Sequence, residues 1–382
     1  MISVSPLAIV PADNLQPRVE VGCVVCRSHL HDVVCSADEV QAHLAYLEGF
    51  HRRRLKPIST EGELAERAEF TQDYATNIVA CADCGLVFRD PRPDADAIER
   101  AYRRDRYGAD RLRALFDSQV ELFRPKAHFL RRWLGRTRGT VVVELGSFVG
   151  GFLAVGRECG WSVTGIDPGE EVATFCEQQG LKVLRATAEE AQLPAASVDC
   201  VAIWNTFDQL ADPQTTLRIV QHLLRPGGIL AVRVPNGDSF RWAIDWQRRL
   251  PSPLDGMVRA AMAWNNLLAF PYLNGYSPAT LNRLLAPYGM RRLAVHPDVL
   301  TRLADVHTKA WAASEERVLK RVWQTAAQMD ALRPGCSGAI APWFDAYYES
   351  TSSLSDLERP NGERAIAMTP AAGSTPDDRV DC

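Results

Sequence analysis

Two groups of residues in this chain have types and spacings that could do chemistry. The first is a pair of CxxC steps, Cys23-Val-Val-Cys26 and Cys81-Ala-Asp-Cys84. Each step can set two thiolates on one turn, and two such turns can close a tetrahedral four-thiolate site for structural Zn2+. With all four positions filled by protein, no position is left open for catalysis. Four unrelated buried cysteines are the competing reading, and His29, His31 and Cys35 read as bystanders. The second group surrounds the glycine-rich stretch VVVELGSFVGGF, Val141–Phe152. Glycine lets a ligand approach the backbone closely, because it has no Cβ and tolerates positive φ. Glu144 stands two residues before the turn, and Asp167 ends the next apolar run, where an acid can accept from ribose hydroxyls. A dinucleotide site needs GxGxxG, so that pyrophosphate meets a helix N-terminus. Glu144 would repel that pyrophosphate and suits a ligand with an ammonium or sulfonium group.

The elements that must position these residues alternate. Strand Val141–Leu145, helix Phe152–Cys159, strand Ser162–Ile166, helix Glu170–Gln179 and a short strand Lys182–Leu184 come first. Strand Val198–Trp204, a helix around Thr215–Leu224, the Arg225-Pro-Gly-Gly turn and strand Ile229–Val234 follow. Strands alternating with helices predict a parallel sheet covered on both faces, with ligands at the carboxyl ends of its strands. Before it, Gly-Leu-Val-Phe after Cys84 predicts a strand of a zinc ribbon. Ala37–Lys56 predicts an inserted helix, and its basic end reads as a solvated face. Asp94 is placed to cap a helix through Ile98 and Tyr102, and Phe116–Leu134 reads as a further helix.

ELGSFVGG resembles the first motif of class I S-adenosylmethionine-dependent methyltransferases. Asp167 matches that family's ribose-binding acid, and Ala188-Glu189 before LPAASVDCV resembles its adenine-contacting segment. LRPGGILAVRVPN and GYSPATLNRLLAPYGM are similar to its later turn, strand and helix, so the likeness covers about Ala127–His296. The double CxxC with Pro-Arg-Pro resembles the zinc-binding N-terminal segment of some bacterial natural-product methyltransferases. The likeness implies a Rossmann-like, doubly wound α/β sheet with an N-terminal zinc ribbon. It also implies an S-adenosyl-L-methionine site made by Glu144, Gly146, Ser147, Phe148 and Gly150, with Asp167, Pro168, Ala188, Glu189 and Asn205. Two residues depart from the pattern. Phe148 stands where the family has its middle glycine, and Asp208-Gln209 stands where many relatives have Glu-His. Asp208, Tyr276 and His296 are the candidates for a general base, each with ordinary packing or capping as its competing role. A fold-retaining, non-catalytic binding or regulatory protein is the alternative function.

Residues 237–276 insert an aromatic-rich segment after a strand end, with Trp242, Trp246 and Trp264 among arginines. It reads as a lid for an apolar or aromatic small-molecule methyl acceptor, against a self-packed helical pair or a membrane-surface element. Ser314-Glu-Glu is placed to cap a helix through about Leu332, with Val318, Val322, Ala326 and Asp330 on one packing or dimer face. The domains expected are 1–20 as lead-in, 21–93 as ribbon, 94–126 as helical linker and 127–312 as the methyltransferase domain. A helical extension at 313–350 and a disordered tail at 351–382 complete the chain. Its 382 residues are 46% hydrophobic and 24% charged, with a formal net charge of −4. That balance gives no global basic field for nucleic acid. Neither a transmembrane run nor a secretory signal is expected. Ten cysteines, four of them in CxxC steps, fit a reducing cytoplasm better than a disulfide scaffold.

Overall fold

The computed structural model describes residues 18–57, 75–103, 107–134, 139–268, 270–300, 307–331 and 340–351. The expected tail lies outside them beyond Thr351.

The chain opens with a small antiparallel layer. Strand β1 (Arg18–Val19) pairs with β5 (Arg92–Pro93), so residues expected in the lead-in already belong to a ladder. Strands β2 (His31–Cys35), β3 (Asn77–Cys81) and β4 (Val87–Asp90) lie side by side. Between β2 and β3, α1 (Ala37–Arg54) starts at Ser36, which forms a capping box with Glu39, and ends on His51 and three arginines. Both ends complement the helix dipole. Asp94 accepts from the Ala97 amide at 2.7 Å and starts α2 (Ala95–Arg103). Helix α3 runs unbroken over Ala109–Leu134. The boundary expected at 126/127 therefore falls inside one helix, whose buried face takes in Leu112 as well as Leu130.

The large sheet has seven strands in the order β12-β13-β10-β9-β6-β7-β8. These are β6 (Val141–Leu145), β7 (Ser162–Ile166), β8 (Val183–Leu184), β9 (Val198–Trp204), β10 (Leu224–Pro235), β12 (Met290–Asp298) and β13 (Trp343–Ser350). Strands β6 to β10 pair in parallel. Helices α4 (Gly151–Glu158), α5 (Glu170–Gln178) and α6 (Pro213–Leu223) make the crossovers, as the alternating periods predict.

The C-terminal region corrects the expected domains. Trp343–Ser350 is not part of a helical extension. It is β13, wedged antiparallel between β10 and β12. A strand buried on both faces loses the apolar–polar alternation that would announce it, and seven of its eight residues are buried. Helix α10 (Ala310–Ala331) begins before Ser314, which lies inside it and bonds back to the Ala310 carbonyl. Its buried face is Glu316, Lys320, Trp323, Ala327 and Asp330, whereas Val318 and Val322 point outward.

Residues 237–275 form α7 (Gly237–Arg249), α8 (Leu254–Trp264) and β11 (Asn274–Gly275), and β11 is an edge strand of the N-terminal sheet beside β4; α9 (Pro278–Leu285) follows. Helices α7 and α8 share a core with Val40, Leu47 and Phe50 of α1 and with Ala312 and Trp323 of α10. The self-packed alternative to a lid therefore describes Trp264. That ring is 3% exposed, lies edge-on to Phe50 at 5.0 Å, and donates Nε1–H to Glu315 at 3.1 Å. Trp246 is 44% exposed. Truncating the buried ring to alanine, Trp264→Ala, is expected to cost about 3–5 kcal/mol of unfolding free energy. Trp246→Ala should change it by less than ~0.5 kcal/mol. Urea unfolding of both variants checks the contrast, and equal losses would contradict it. Among the described residues no helix is long and apolar enough to cross a membrane.

Candidate functional site

The glycine turn is built by close approach. Gly146 has φ +70°, and a Cβ there would fall 2.3 Å from Thr206 Oγ1, so the loop after β9 presses on the loop after β6. Gly150 has φ +76° and precedes the first turn of α4. Between them, Phe148 also takes a left-handed conformation, φ 44°. Such a φ is rare for a bulky residue and costs backbone strain. Phe148 is held there from three sides. Its N–H donates to Asp167 Oδ2 at 2.8 Å, its carbonyl accepts from Cys176 Sγ at 3.3 Å, and its ring meets Tyr107 edge-on at 5.1 Å.

Asp167 thus shapes the turn as well as ending β7. Its Oδ1 accepts from the Gly169 amide at 3.0 Å. Half-buried Pro168 follows it. The Asp167 carbonyl accepts from the Ala186 amide at 3.2 Å, which suspends the turn carrying Ala188 and exposed Glu189 beside the same strand ends. Glu144 is 2% exposed, and its Oε2 has no hydrogen-bond partner. Burial, helped by the charge of Asp167, pushes its carboxyl well above the usual range. Buried Ser147 likewise has an unpartnered hydroxyl. A cationic group beside Glu144 would satisfy Oε2 and offset the cost of burying its charge.

The β9 end carries the second half of the site. Asp208 sits in a short 3-10 turn, Phe207–Gln209, and is 1% exposed with neither carboxyl oxygen partnered. Burial pushes its pKa up to about 7, against the opposing pull of its own backbone amide and of Arg233. Tyr276 is fully buried, its hydroxyl is also unpartnered, and its ring lies 5.3 Å from that of Phe207. Two bonds lock these segments together. The Leu273 amide donates to the Asp208 carbonyl at 3.3 Å, and Asn274 Nδ2 to the Leu210 carbonyl at 3.0 Å. Arg92 clamps the same pair, donating to Asn274 Oδ1 and to the Ala211 carbonyl, each at 3.1 Å. The fold therefore brings Asp208 and Tyr276 together.

It does not bring His296 to them. That ring packs 4.1 Å from Phe129 of α3 and 5.9 Å from Tyr347. Tyr347 belongs to the core on the α3 face of the sheet, and Tyr276 to the core on the other face. Alternation along β12 and β13 sets this side.

The sequence reading missed a buried ionic cluster at the same end of the sheet. Arg233 of β10 is fully buried. It donates Nη1–H to Asn205 Oδ1 at 2.7 Å, and Nη2–H to Asp298 Oδ2 at 3.1 Å and the Val299 carbonyl at 3.0 Å. Its Nε lies 3.4 Å from Asp345 Oδ1, and its guanidinium stacks over Trp343. Lys126 of α3 joins both acids, reaching Asp298 Oδ2 at 2.9 Å and Asp345 directly. A lone arginine inside ILAVRVP was the available signal, because a charge in a central strand demands partners.

The four cysteine thiols converge at the N-terminal layer, all within 4.8 Å of one another. Cys23 Sγ lies 3.5 Å from Cys84 Sγ, and Cys26 Sγ 3.4 Å from Cys81 Sγ. A tetrahedral zinc with Zn–S of about 2.3 Å sets its sulfurs ~3.8 Å apart, so the donor set and its size fit. His31 instead lies 3.5 Å from Asp90, and Cys35 packs in the helical core.

A family model described as a methyltransferase domain matches residues 102–295. A C-methyltransferase, NovU, of Streptomyces niveus is 28% identical over 171 residues, 42% of this chain and 38% of that protein. Ribosomal RNA large subunit methyltransferase E of Methanothrix thermoacetophila is 29% identical over 160 residues, 38% of this chain and 60% of that protein. The matches thus span less than two thirds of either relative. A solved SAM dependent methyltransferase from Archaeoglobus fulgidus is 20% identical, with 60% of this chain and 94% of that one covered and a TM-score of 0.38.

Proposed function

The chain belongs to the methyltransferase-domain family, and we propose that it transfers a methyl group from S-adenosylmethionine to a small-molecule acceptor. The observation that carries this reading is Glu144, a buried carboxyl with an unpartnered oxygen beside a left-handed glycine turn. When bound, the cofactor supplies a methyl already activated on a sulfonium. Glu144 would hold its cationic end, Gly146, Ser147, Phe148 and Gly150 would give the backbone approach, and Asp167 with Pro168 would take the ribose. Ala188 and Glu189 would take the adenine, and Asn205 would close the β9 side.

On the acceptor side, Asp208 takes the proton from the attacking atom at a carboxylate oxygen, with the Tyr276 hydroxyl as its neighbour. This suits a hydroxyl or an acidic carbon, and a base of pKa about 7 is matched to neutral pH. Among the relatives, one is named for C-methylation and one for ribosomal RNA. The formal net charge of −4 favours a small molecule over RNA, whose phosphates demand a basic surface. The four cysteines would hold a structural zinc as thiolates, which fits a reducing cytoplasm.

Calorimetry with S-adenosylmethionine tests the cofactor assignment. Wild type should bind, and Glu144→Gln, which keeps the shape and removes the charge, should bind ~10- to 100-fold more weakly. A wild-type protein with no heat of binding would sink the assignment.

A further inference from the structure

We infer that Arg233 is a positioning residue: it fixes the Asn205 side-chain amide so that its NH2 group, and not its carbonyl, faces the cofactor site. The inference rests on the reading just given and extends it to a residue outside the motif. Asn205 follows β9 directly and has φ 56°, a left-handed conformation that asparagine tolerates better than most residues. Its backbone N–H and its side chain are both held from β10. The Asn205 amide donates to the Arg233 carbonyl at 3.0 Å, and Asn205 Oδ1 accepts from Arg233 Nη1 at 2.7 Å. The Asn205 carbonyl accepts from Gln209 Nε2 at 2.6 Å, so one residue is pinned at three atoms.

The bond to Oδ1 decides which way the amide points. An arginine has only donors, so the atom facing it must be the amide oxygen. The Nδ2 hydrogens are then left over, and among the described residues nothing accepts from them. Asn205 is half-buried, and its neighbour Thr206 presses on Gly146 of the glycine turn. A donor pair presented there recognises an oxygen or nitrogen acceptor on the ligand.

The other partners of Arg233 explain how a guanidinium can be held so firmly. Asp298 and Asp345 neutralise it and Lys126 balances the second acid. Stability alone does not call for this arrangement, because well-packed apolar residues commonly replace such clusters at no loss. The charge earns its place through the atom it orients.

Two measurements test this. In a double-mutant cycle read by calorimetry with S-adenosylmethionine, Arg233→Lys and Asn205→Ala should each weaken binding about tenfold. Arg233→Lys should cost less than twofold further once Asn205 is alanine, because contacting residues couple. Additive losses would overturn the inference. Asn205→Asp keeps the contact to Arg233 and removes the donors, so it should retain the wild-type Tm and still bind about tenfold more weakly. Unchanged affinity in that variant would also overturn it. The second measurement needs no cofactor. In asparagine-labelled protein, the Asn205 side chain should give a pair of 15N–1H signals displaced from the positions of a free asparagine amide, and Arg233→Lys should move them toward those positions. A pair at the free-amide positions in the wild type defeats the Arg233 role whether or not the cofactor binds. Displaced signals with no binding defeat only the cofactor reading.

Discussion

Asp208→Asn is expected to lower kcat by about 10²- to 10⁴-fold while raising the thermal stability of the protein above pH 7. The first effect follows from the loss of a general base at an otherwise unchanged shape. In the wild type, kcat/KM should fall as pH drops through about 7, because only the ionised carboxyl accepts a proton. The variant should lack that acid limb. The second effect follows from linkage. The folded-state pKa, about 7, lies above the ordinary value of 3.8, so the fold favours the protonated carboxyl. Its contribution to stability is therefore fully present below about pH 3.8. It declines as pH rises and reaches its lowest level above about pH 7, a loss on the order of a few kcal/mol. Asparagine carries no charge and escapes that loss. The Tm of the variant should exceed that of the wild type at pH 8, and the gap should close toward pH 4. A kcat within threefold of wild type would remove Asp208 from the proton path. A Tm gap independent of pH would show that its carboxyl is solvated.

The parts of this site that were legible in the sequence are those written locally. Glu144, the glycines and Asp167 lie within one strand–turn–helix–strand unit, where β-branched runs and glycine positions reveal the geometry. The CxxC steps were legible for a similar reason, since each fixes two thiols on one turn. Phe148 showed only as a departure. Its left-handed φ explains why glycine is the simpler residue there, and the bond from its amide to Asp167 explains how phenylalanine is tolerated.

On the acceptor side Asp208 and Tyr276 stood out as residues, but their meeting was not legible, because the site is assembled from distant segments. Tyr276 reaches Asp208 because β11 pairs with β4, far upstream in the chain, and bonds the 207–211 segment through Leu273 and Asn274. The Arg233 cluster spans 65 residues to Asp298, and its Lys126–Asp345 bond spans 219. Trp264 and Trp246 show the limit of composition. Both lie in the same aromatic-rich insertion, yet one closes a core and the other faces solvent. Only the packing of α1 and α10 against the insertion separates them.

That same pairing makes the cysteine site the second place where a large effect is expected. Protein purified under reducing conditions should carry about one zinc per chain, and chelation should unfold the N-terminal layer. Structural zinc contributes on the order of 10–16 kcal/mol of apparent binding free energy to small domains, which is also folding free energy. Within the turns themselves the remaining ties include the backbone bonds from Arg27 to the Cys23 carbonyl and from Gly85 to the Cys81 carbonyl. Cys81 ends β3, Cys84 sits on the turn into β4, and Cys23 shares a core with Phe88 and Tyr276. Loosening the thiols should therefore free β4, then β11, and then Tyr276. The glycine turn rests on β6, β7 and α4, none of which carries a metal ligand. Stripped protein and Cys81→Ser should thus keep their affinity for S-adenosylmethionine within about threefold, lose acceptor turnover, and become cleavable by protease within 75–93. Unchanged protease resistance after chelation would show that packing alone holds the layer. Loss of cofactor binding together with turnover would show that the two halves of the site are one cooperative unit, because sub-global opening confined to the ribbon would spare the turn.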